Sequence, residues 1–230
     1  MPKAQIHIPA SSIDFLKALK QNNNRDWFNA HKSEYLEQQL LMEAFADALL
    51  AKMNEHDVIE TPTGKRSMHR IYKDTRFSKD KTPYKTNFSG SFTRATKLRR
   101  GGYYFHIEPG NSFVAGGFWA PNAADLKRVR DDIAYDAAPL RKILNTNAFK
   151  ETFDTLQGEQ LKTAPKGFDT TNEAIDLLRY KQFLLVHNFT DKEVLATTFL
   201  EQANRTFKTM RRFLDYMSDV LATDVNGEAV

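Results

Sequence analysis

Apolar side chains recur at intervals of three and four residues near both ends of the chain. Ile13, Leu16 and Leu19 show this helical spacing near the N-terminus, and a similar stripe runs from Leu195 to Leu221 near the C-terminus. A Thr-Asp-Lys-Glu sequence with the composition of a capping box precedes the second stripe and is expected to start the last helix. The patterns predict helices in two regions, about residues 12–54 and about residues 122–222, and a short strand, KQFLLVHNF, within the second region.

The central part of the chain has a period of two, which is typical of strands with one buried face. In YKTNFSGSF, which starts at Tyr84, the Tyr, Thr, Phe, Gly and Phe positions alternate with Lys, Asn and two Ser. In GYYFHIEPG, three positions expected in the core alternate with three on the opposite, polar face, namely Tyr103, Phe105 and Ile107 against Tyr104, His106 and Glu108.

Two further segments complete the predicted sheet. SFVAGGFW follows the turn signal EPGN, and HRIYKDTRF is the fourth strand candidate. Together the strands predict an antiparallel sheet over about residues 66–119, packed against the N- and C-terminal helices in an α+β fold. No internal repeat, low-complexity block or Pro/Gly/Ser linker interrupts the chain, so we expect residues 1–230 to form a single domain.

Composition excludes several classes of protein. The 230 residues are 41% hydrophobic, and no apolar run approaches the length of about 20 residues that a transmembrane helix needs. The chain contains no cysteine, which removes disulfides, cysteine–zinc sites and a thiol nucleophile. The N-terminal sequence has no apolar region of the kind found in signal peptides. We therefore expect a cytoplasmic protein without a membrane partner, and no motif calls for a cofactor.

Positive charge is concentrated in one segment. Between Lys65 and Arg100 there are twelve Lys or Arg residues and two Asp, whereas the formal net charge of the whole chain is only +4. Such asymmetry favours a negatively charged partner. Lys97 and Arg99, near the end of the segment, are assigned to a loop away from the site.

The first half of this basic segment has the pattern of an anion site. If residues 70–76 are extended, Arg70, Asp74 and Arg76 share one face, and the Asp can orient both guanidinium groups for a ligand phosphate or carboxylate. An ordinary salt-bridged surface strand is the alternative interpretation. The candidate ligand-binding residues are Arg70, Asp74, Arg76, Asp80, Lys81, Tyr84 and Lys85.

His106 and Glu108 are the candidate catalytic residues. Their spacing places them on the same polar strand face, where a His–Glu pair can serve as a general base and its orienting group. Two ligands are too few for a zinc or iron site, so no metal is predicted. A polar sheet face exposed to water is the alternative interpretation.

The sequence also resembles a known family. Its Arg-x-x-x-Asp-x-Arg-Phe…Asp-Lys-x-x-Tyr pattern is similar to a signature of the bacterial and fungal family called domain of unknown function 2461. Further similar stretches are NNNRDWFNAHKSEY, HIEPGNSFVAGGFW, PKGFD and IDLLRYKQF. The resemblance extends over nearly the whole chain, which implies a single domain. It implies no particular activity.

These observations predict a protein that binds an anionic small molecule, bearing phosphate or carboxylate, in an Arg/Lys/Tyr pocket on the sheet. The pattern leaves open whether the protein is an enzyme. The alternative is a single-stranded nucleic-acid-binding module, because cations interleaved with aromatic residues also suit stacked bases and phosphates. A protein–protein adaptor is a third interpretation. A concave site with buried cations would favour the small molecule, and an open basic groove would favour nucleic acid.

Overall fold

The computed structural model describes residues 6–95 and 99–223 of the chain, and it has an α+β fold. Lys97, which the sequence assigned to a loop, lies outside the described residues. The helices are α1 (Ala10–Gln21), α2 (Arg25–Ala30), α3 (Lys32–Met53), α4 (Gly64–Ser67), α5 (Ala123–Tyr135), α6 (Ala138–Leu144), α7 (Asn147–Phe153), α8 (Ile175–Leu178), α9 (Asp191–Val194) and α10 (Phe199–Ala222).

One antiparallel sheet contains four strands in the order β1-β2-β3-β4. The strands are β1 (Phe88–Thr93), β2 (Gly102–Ile107), β3 (Ser112–Phe118) and β4 (Phe183–Phe189). The first three were predicted, β1 and β2 from their period of two and β3 from the turn signal before it. The turn between β2 and β3 uses Gly110 at φ 74°, a left-handed conformation that glycine adopts without strain.

The predicted strand HRIYKDTRF is wrong. The fourth strand of the sheet is β4, which lies in the segment KQFLLVHNF that was predicted as a short strand. Between residues 68 and 84 only isolated bridges form, such as that between Tyr72 and Tyr84. The segment between them folds back on local polar side chains, because Asp74 accepts a hydrogen bond from the Arg76 backbone N–H and Asp80 accepts one from that of Thr82. Side chains that capture backbone donors in this way compete with strand pairing.

The sequence predicted that the capping box starts the last long helix, and this is wrong. Thr190 and Glu193 form a complete capping box, but the helix that they cap is α9, which has only four residues. The long apolar helix α10 begins separately at Phe199. Helices do form on both sides of the central strands, but residues 122–222 also contain β4.

Two compact units are distinguished in the chain, each assembled from separate segments. Unit 1 comprises the chain up to Phe92 together with Tyr104–Val114 and Asn188–Arg205. Unit 2 comprises Thr93–Tyr103, Ala115–His187 and the chain from Thr206 onward. The single domain expected over residues 1–230 stays a prediction. Within residues 6–95 and 99–223, no helix combines the length and the apolar character that a bilayer span requires.

The core of unit 1 is aromatic. Phe105 of β2 is fully buried and packs edge-on against Phe45 of α3, which stacks on Phe199 at a centroid distance of 5.5 Å. Gly90 of β1 makes this packing possible, since a Cβ there would lie 2.5 Å from the Phe105 ring. The predicted burial of the apolar strand faces is confirmed for Phe88, Phe92, Tyr103, Phe105 and Ile107.

Unit 2 has its own core, in which Tyr103 packs on Phe207 of α10 at a centroid distance of 5.0 Å. Arg94 is also buried there, with no exposed side-chain surface. Its guanidinium donates to the Asp215 carboxylate and, at 3.2 Å, to the Ser218 hydroxyl. Because these partners satisfy the buried charge, Arg94 has a structural role.

We predict that Phe105→Ala lowers the free energy of unfolding by about 3–5 kcal/mol, because it removes a buried ring from the contact with Phe45. The measurement is urea-induced unfolding followed by circular dichroism. Phe77→Ala is the matched control, since Phe77 is 96% exposed, and should change stability by less than about 0.5 kcal/mol. Equal stability of the two variants would contradict the packing described for β2.

Candidate functional site

The polar face of β2 carries a chain of three hydrogen-bonded side chains. The Tyr104 hydroxyl lies 2.9 Å from His106 Nδ1, and His106 Nε2 lies 3.2 Å from Glu108 Oε2. Alternation along β2 brings them together, because the residues between them face the core. The predicted His106–Glu108 pair is therefore present, and Tyr104 extends it.

Glu108 is held in place by two further side chains. Its Oε1 accepts a hydrogen bond from the Thr86 hydroxyl at 2.7 Å, and its Oε2 accepts one from the Asn111 amide at 2.9 Å. Burial raises the pKa of Glu108, but these hydrogen bonds and the one to His106 outweigh burial and bring it below its ordinary value. Glu108 is therefore a carboxylate at neutral pH.

The same surroundings define the protonation of His106. Burial lowers its pKa, the Glu108 carboxylate opposes that effect, and the charge of Lys85 adds to it, so that the net shift is downward. The ring is therefore neutral at pH 7. A carboxylate at Nε2 requires the proton on that nitrogen, which leaves Nδ1 to accept from Tyr104. Phe113 stacks on the ring at a centroid distance of 4.8 Å and fixes its plane.

Lys85 and Arg70 are cations of this site that lack a hydrogen-bonded counter-charge among the described residues, although the charge of Arg70 acts on Asp74. Neither forms an ion pair or side-chain hydrogen bond with any residue in the part of the chain that the structure describes. Lys85 is half-buried, and its pKa is lowered first by burial and then by the charge of Arg70. The charge of Lys85 also acts on His106 and on His69. This face of unit 1 therefore has excess positive potential.

A second histidine lies beside Tyr104. The rings of His69 and Tyr104 have centroids 5.8 Å apart, and His69 Nε2 lies 3.0 Å from the Ser91 hydroxyl. Partial burial and the charge of Lys85 lower the pKa of His69. Its Nδ1 has no hydrogen-bond partner among the described residues.

Residues 73–83 form the basic loop, whose cations are largely paired within the loop itself. The predicted contact between Asp74 and Arg76 is confirmed by two side-chain hydrogen bonds of 3.0 and 2.7 Å. Arg70 makes no hydrogen bond to Asp74, so the predicted clamp of two Arg residues about one Asp is not formed. The Arg76 side chain is 77% exposed, which makes this a surface ion pair rather than part of a buried pocket.

The other predicted residues of the loop also have internal partners. Asp80 accepts hydrogen bonds from Lys73 at 2.8 Å and from Thr82, and these lower its pKa. Lys81 donates to the backbone carbonyl of Thr75 at 2.9 Å. These contacts order the loop, whereas the side chain of Phe77 is exposed to solvent.

Tyr84 belongs to the aromatic core instead of the polar face. Its ring is 3% exposed and stacks on Phe28 with a centroid distance of 3.9 Å. Asn23 fixes the backbone there, since its side chain bonds to both the N–H and the carbonyl of Tyr84. Tyr84 therefore anchors the end of the basic loop.

Sequence reasoning missed several residues of the site. Tyr104 and Ser91 fall on the polar sides of their predicted strands, so alternation could have identified both. Thr86 was expected on the apolar face, but its hydroxyl reaches Glu108 because regular strand structure begins only at Phe88. No pattern marks His69, which pairs with Ser91 through the fold.

A separate cavity of about 270 Å³ lies within unit 2 and contains none of the predicted site residues. Its lining includes Arg141 and Asp176, which form a 2.6 Å ion pair with each other. Within the ranges that the structure describes, no three His, Asp or Glu residues are grouped so that they could hold a metal ion.

Comparison with family models matches residues 11–216 to the family described as "Conserved hypothetical protein (DUF2461)". Because the match spans most of the chain, the protein belongs to the DUF2461 family, as the resemblance in its sequence predicted. Neither a curated protein nor a solved structure matches the chain. The family description names no activity, so function has to be argued from the geometry of the site.

The opposing charges around His106 predict opposite shifts in two variants. Lys85→Gln removes a repelling charge, so the pKa of His106 should rise. Glu108→Gln removes a stabilising carboxylate, so the pKa should fall further. NMR titration of the imidazole carbon-bound protons measures both. Lys79→Gln, which removes a cation from the basic loop, is the control, and an unchanged His106 titration in all three variants would refute this arrangement.

Proposed function

We propose that the protein binds an anionic small molecule, bearing a phosphate or carboxylate group, on the polar face of β1 and β2 and transfers protons to or from it as an enzyme. The observation that carries this proposal is the half-buried ammonium group of Lys85, which has no ion-pair partner among the described residues and whose charge acts on His106 in the Tyr104–His106–Glu108 chain.

Electrostatics support an anion at Lys85. A partly desolvated cation that is surrounded by other groups able to carry positive charge is in an unfavourable environment. A bound phosphate or carboxylate would relieve the repulsion with Arg70 and form charge-assisted hydrogen bonds to Lys85. In this proposal Lys85 is the principal ligand-binding residue, and Arg70 is the second.

Proton transfer is supported by the order of the hydrogen bonds. A neutral His106 whose Nε2–H is held by a carboxylate can take up a proton at Nδ1, because Glu108 stabilises the imidazolium that forms. The donor at Nδ1 is the Tyr104 hydroxyl, which burial keeps protonated by raising its pKa. Tyr104 would therefore contact the ligand, with His106 and Glu108 behind it.

The basic loop has a secondary part in this proposal. Asp74 and Asp80 order the loop through Arg76 and Lys73. Arg76 and Lys81 retain N–H donors beyond these internal bonds, and such donors can add contacts to an anion larger than phosphate.

Single-strand nucleic-acid binding is the second candidate, favoured by Phe77. This ring is 96% exposed, and the Arg76 guanidinium lies 5.9 Å from its centroid. An exposed aromatic ring beside cations is the arrangement on which unpaired bases stack. In either case we place the protein in the cytoplasm, since a cysteine-free chain is compatible with a reducing compartment.

Calorimetric binding tests the proposal with inorganic phosphate, phosphorylated and carboxylated metabolites, and a short single-stranded oligonucleotide. We expect a phosphate- or carboxylate-bearing compound to bind, and Lys85→Gln to weaken it roughly 10- to 100-fold through loss of a charged hydrogen bond. Lys79→Gln, the matched control, should bind normally.

Two results would contradict the small-molecule proposal. One is equal weakening by Lys85→Gln and Lys79→Gln, which would indicate a diffuse electrostatic surface. The other is tight, strongly salt-dependent oligonucleotide binding that Phe77→Ala abolishes. That second pattern would support the nucleic-acid alternative.

A further inference from the structure

We infer that the ligand is a small phosphodiester, that His69 acts on it as the general acid, and that His106 acts as the general base through Tyr104. The inference rests on the proposed function, since it places the phosphate at Lys85. It goes further in assigning a substrate class, a reaction and a role for His69.

Both histidines have their rings close to the Tyr104 phenol. The ring of Tyr104 is 5.8 Å from that of His69 and 6.0 Å from that of His106, measured between centroids. The charge of Lys85 acts on both imidazoles, so all three groups share one neighbourhood in unit 1. A phosphate bound by Lys85 and Tyr104 would lie near both imidazoles.

The partners of the two rings suit them to opposite tasks. His106 has the Glu108 carboxylate at Nε2, which favours uptake of a proton. His69 has only the Ser91 hydroxyl at Nε2 and no carboxylate partner among the described residues, so its imidazolium is the stronger acid. Ser91 positions this ring, and Nδ1 remains for the ligand.

The reaction is hydrolysis with water as nucleophile. The water oxygen forms a bond to phosphorus, Tyr104 Oη accepts a proton from that water, and the original Tyr104 proton passes to His106 Nδ1. The P–O bond to the leaving group breaks, and the leaving oxygen takes a proton from protonated His69. A phosphomonoester and an alcohol result, and solvent returns the proton gained by His106 to His69.

A diester fits this site better than other anions. It carries one negative charge at the phosphate, which matches one half-buried cation, with Arg70 exposed nearby. Attack by water needs a base, and departure of an alkoxide needs an acid, so both histidines are used. A ligand that only presented a carboxylate would leave one of them without a role.

Two substrates distinguish the role of the general acid, His69, from that of the general base, His106. The leaving group of bis(4-nitrophenyl) phosphate needs little protonation, whereas the alkoxide released from uridine 2′,3′-cyclic phosphate needs an acid. We expect the protein to hydrolyse both. His106→Asn should lower kcat/KM roughly 100-fold for both substrates. His69→Asn should lower it roughly 100-fold for the cyclic nucleotide and less than about 10-fold for the nitrophenyl diester.

Two readouts distinguish chemistry from structural damage. Added imidazole should restore cyclic-nucleotide hydrolysis in His69→Gly, since His69 is exposed. In Lys85→Gln, the loss of activity at high pH should move to higher pH, because His69 then keeps its proton longer. The Lys79→Gln control should behave as the parent.

The outcomes separate this inference from the proposed function. Phosphate binding that depends on Lys85, without hydrolysis of either diester, would overturn the inference and leave the anion site standing. Hydrolysis with the same loss on both substrates in His69→Asn, or with no loss in either histidine variant, would also overturn it. If the parent protein shows no phosphate binding that depends on Lys85, the proposed function is overturned.

Discussion

Packing of Phe105 against Phe45 is the contact on which the geometry of the site depends. It fixes which side of β2 faces the core of unit 1. Because side chains alternate along a strand, the same contact directs Tyr104, His106 and Glu108 to the opposite side. A slip of one residue would bury the Glu108 carboxylate and the His106 imidazole and expose the core aromatic rings, at a large energetic cost. The strand register that buries Phe105 in the core therefore also sets the geometry of the site.

The site also shows how a fold can keep a cation without a counter-charge. In the basic loop each acidic residue is paired with a cation, as Asp74 is with Arg76 and Asp80 with Lys73. The Glu108 carboxylate is engaged with His106, Thr86 and Asn111. The described acidic groups nearby are therefore already committed, and Lys85 retains its positive charge for a ligand.

Alternation of residue types predicted much of this arrangement. The strands β1 and β2, their buried faces and the His106–Glu108 pair follow from the period of two. Strand β3 follows from the turn signal before it, and β4 was predicted as a short strand but not as part of the sheet. The features that the sequence did not predict depend largely on contacts between segments that are distant in sequence. The segment after Met68 has strand-like alternation, yet it forms only isolated bridges, and Asp74 and Asp80 accept hydrogen bonds from the backbone N–H groups of Arg76 and Thr82. Tyr84 was predicted to bind a ligand through its phenol, but its ring packs on Phe28, which lies far away in sequence.

The distinction between the loop and the sheet face could not be predicted for a related reason. All the Lys and Arg residues of the basic segment look alike in a linear sequence. Only the structure separates those with internal partners, such as Arg76, from those without, such as Lys85. His69 enters the site through the bridge between Met68 and Gly90, which brings it to Ser91 across the chain.

The central claim is that an anion binds to Lys85 on the polar face of the sheet. A crystal soaked in tungstate, whose anomalous scattering locates the ion, tests it most directly. The account predicts a bound ion within hydrogen-bonding distance of Lys85 Nζ, in contact with Arg70 or the Tyr104 hydroxyl, and lost in Lys85→Gln. Ions bound only along the basic loop, with none at Lys85, would contradict it.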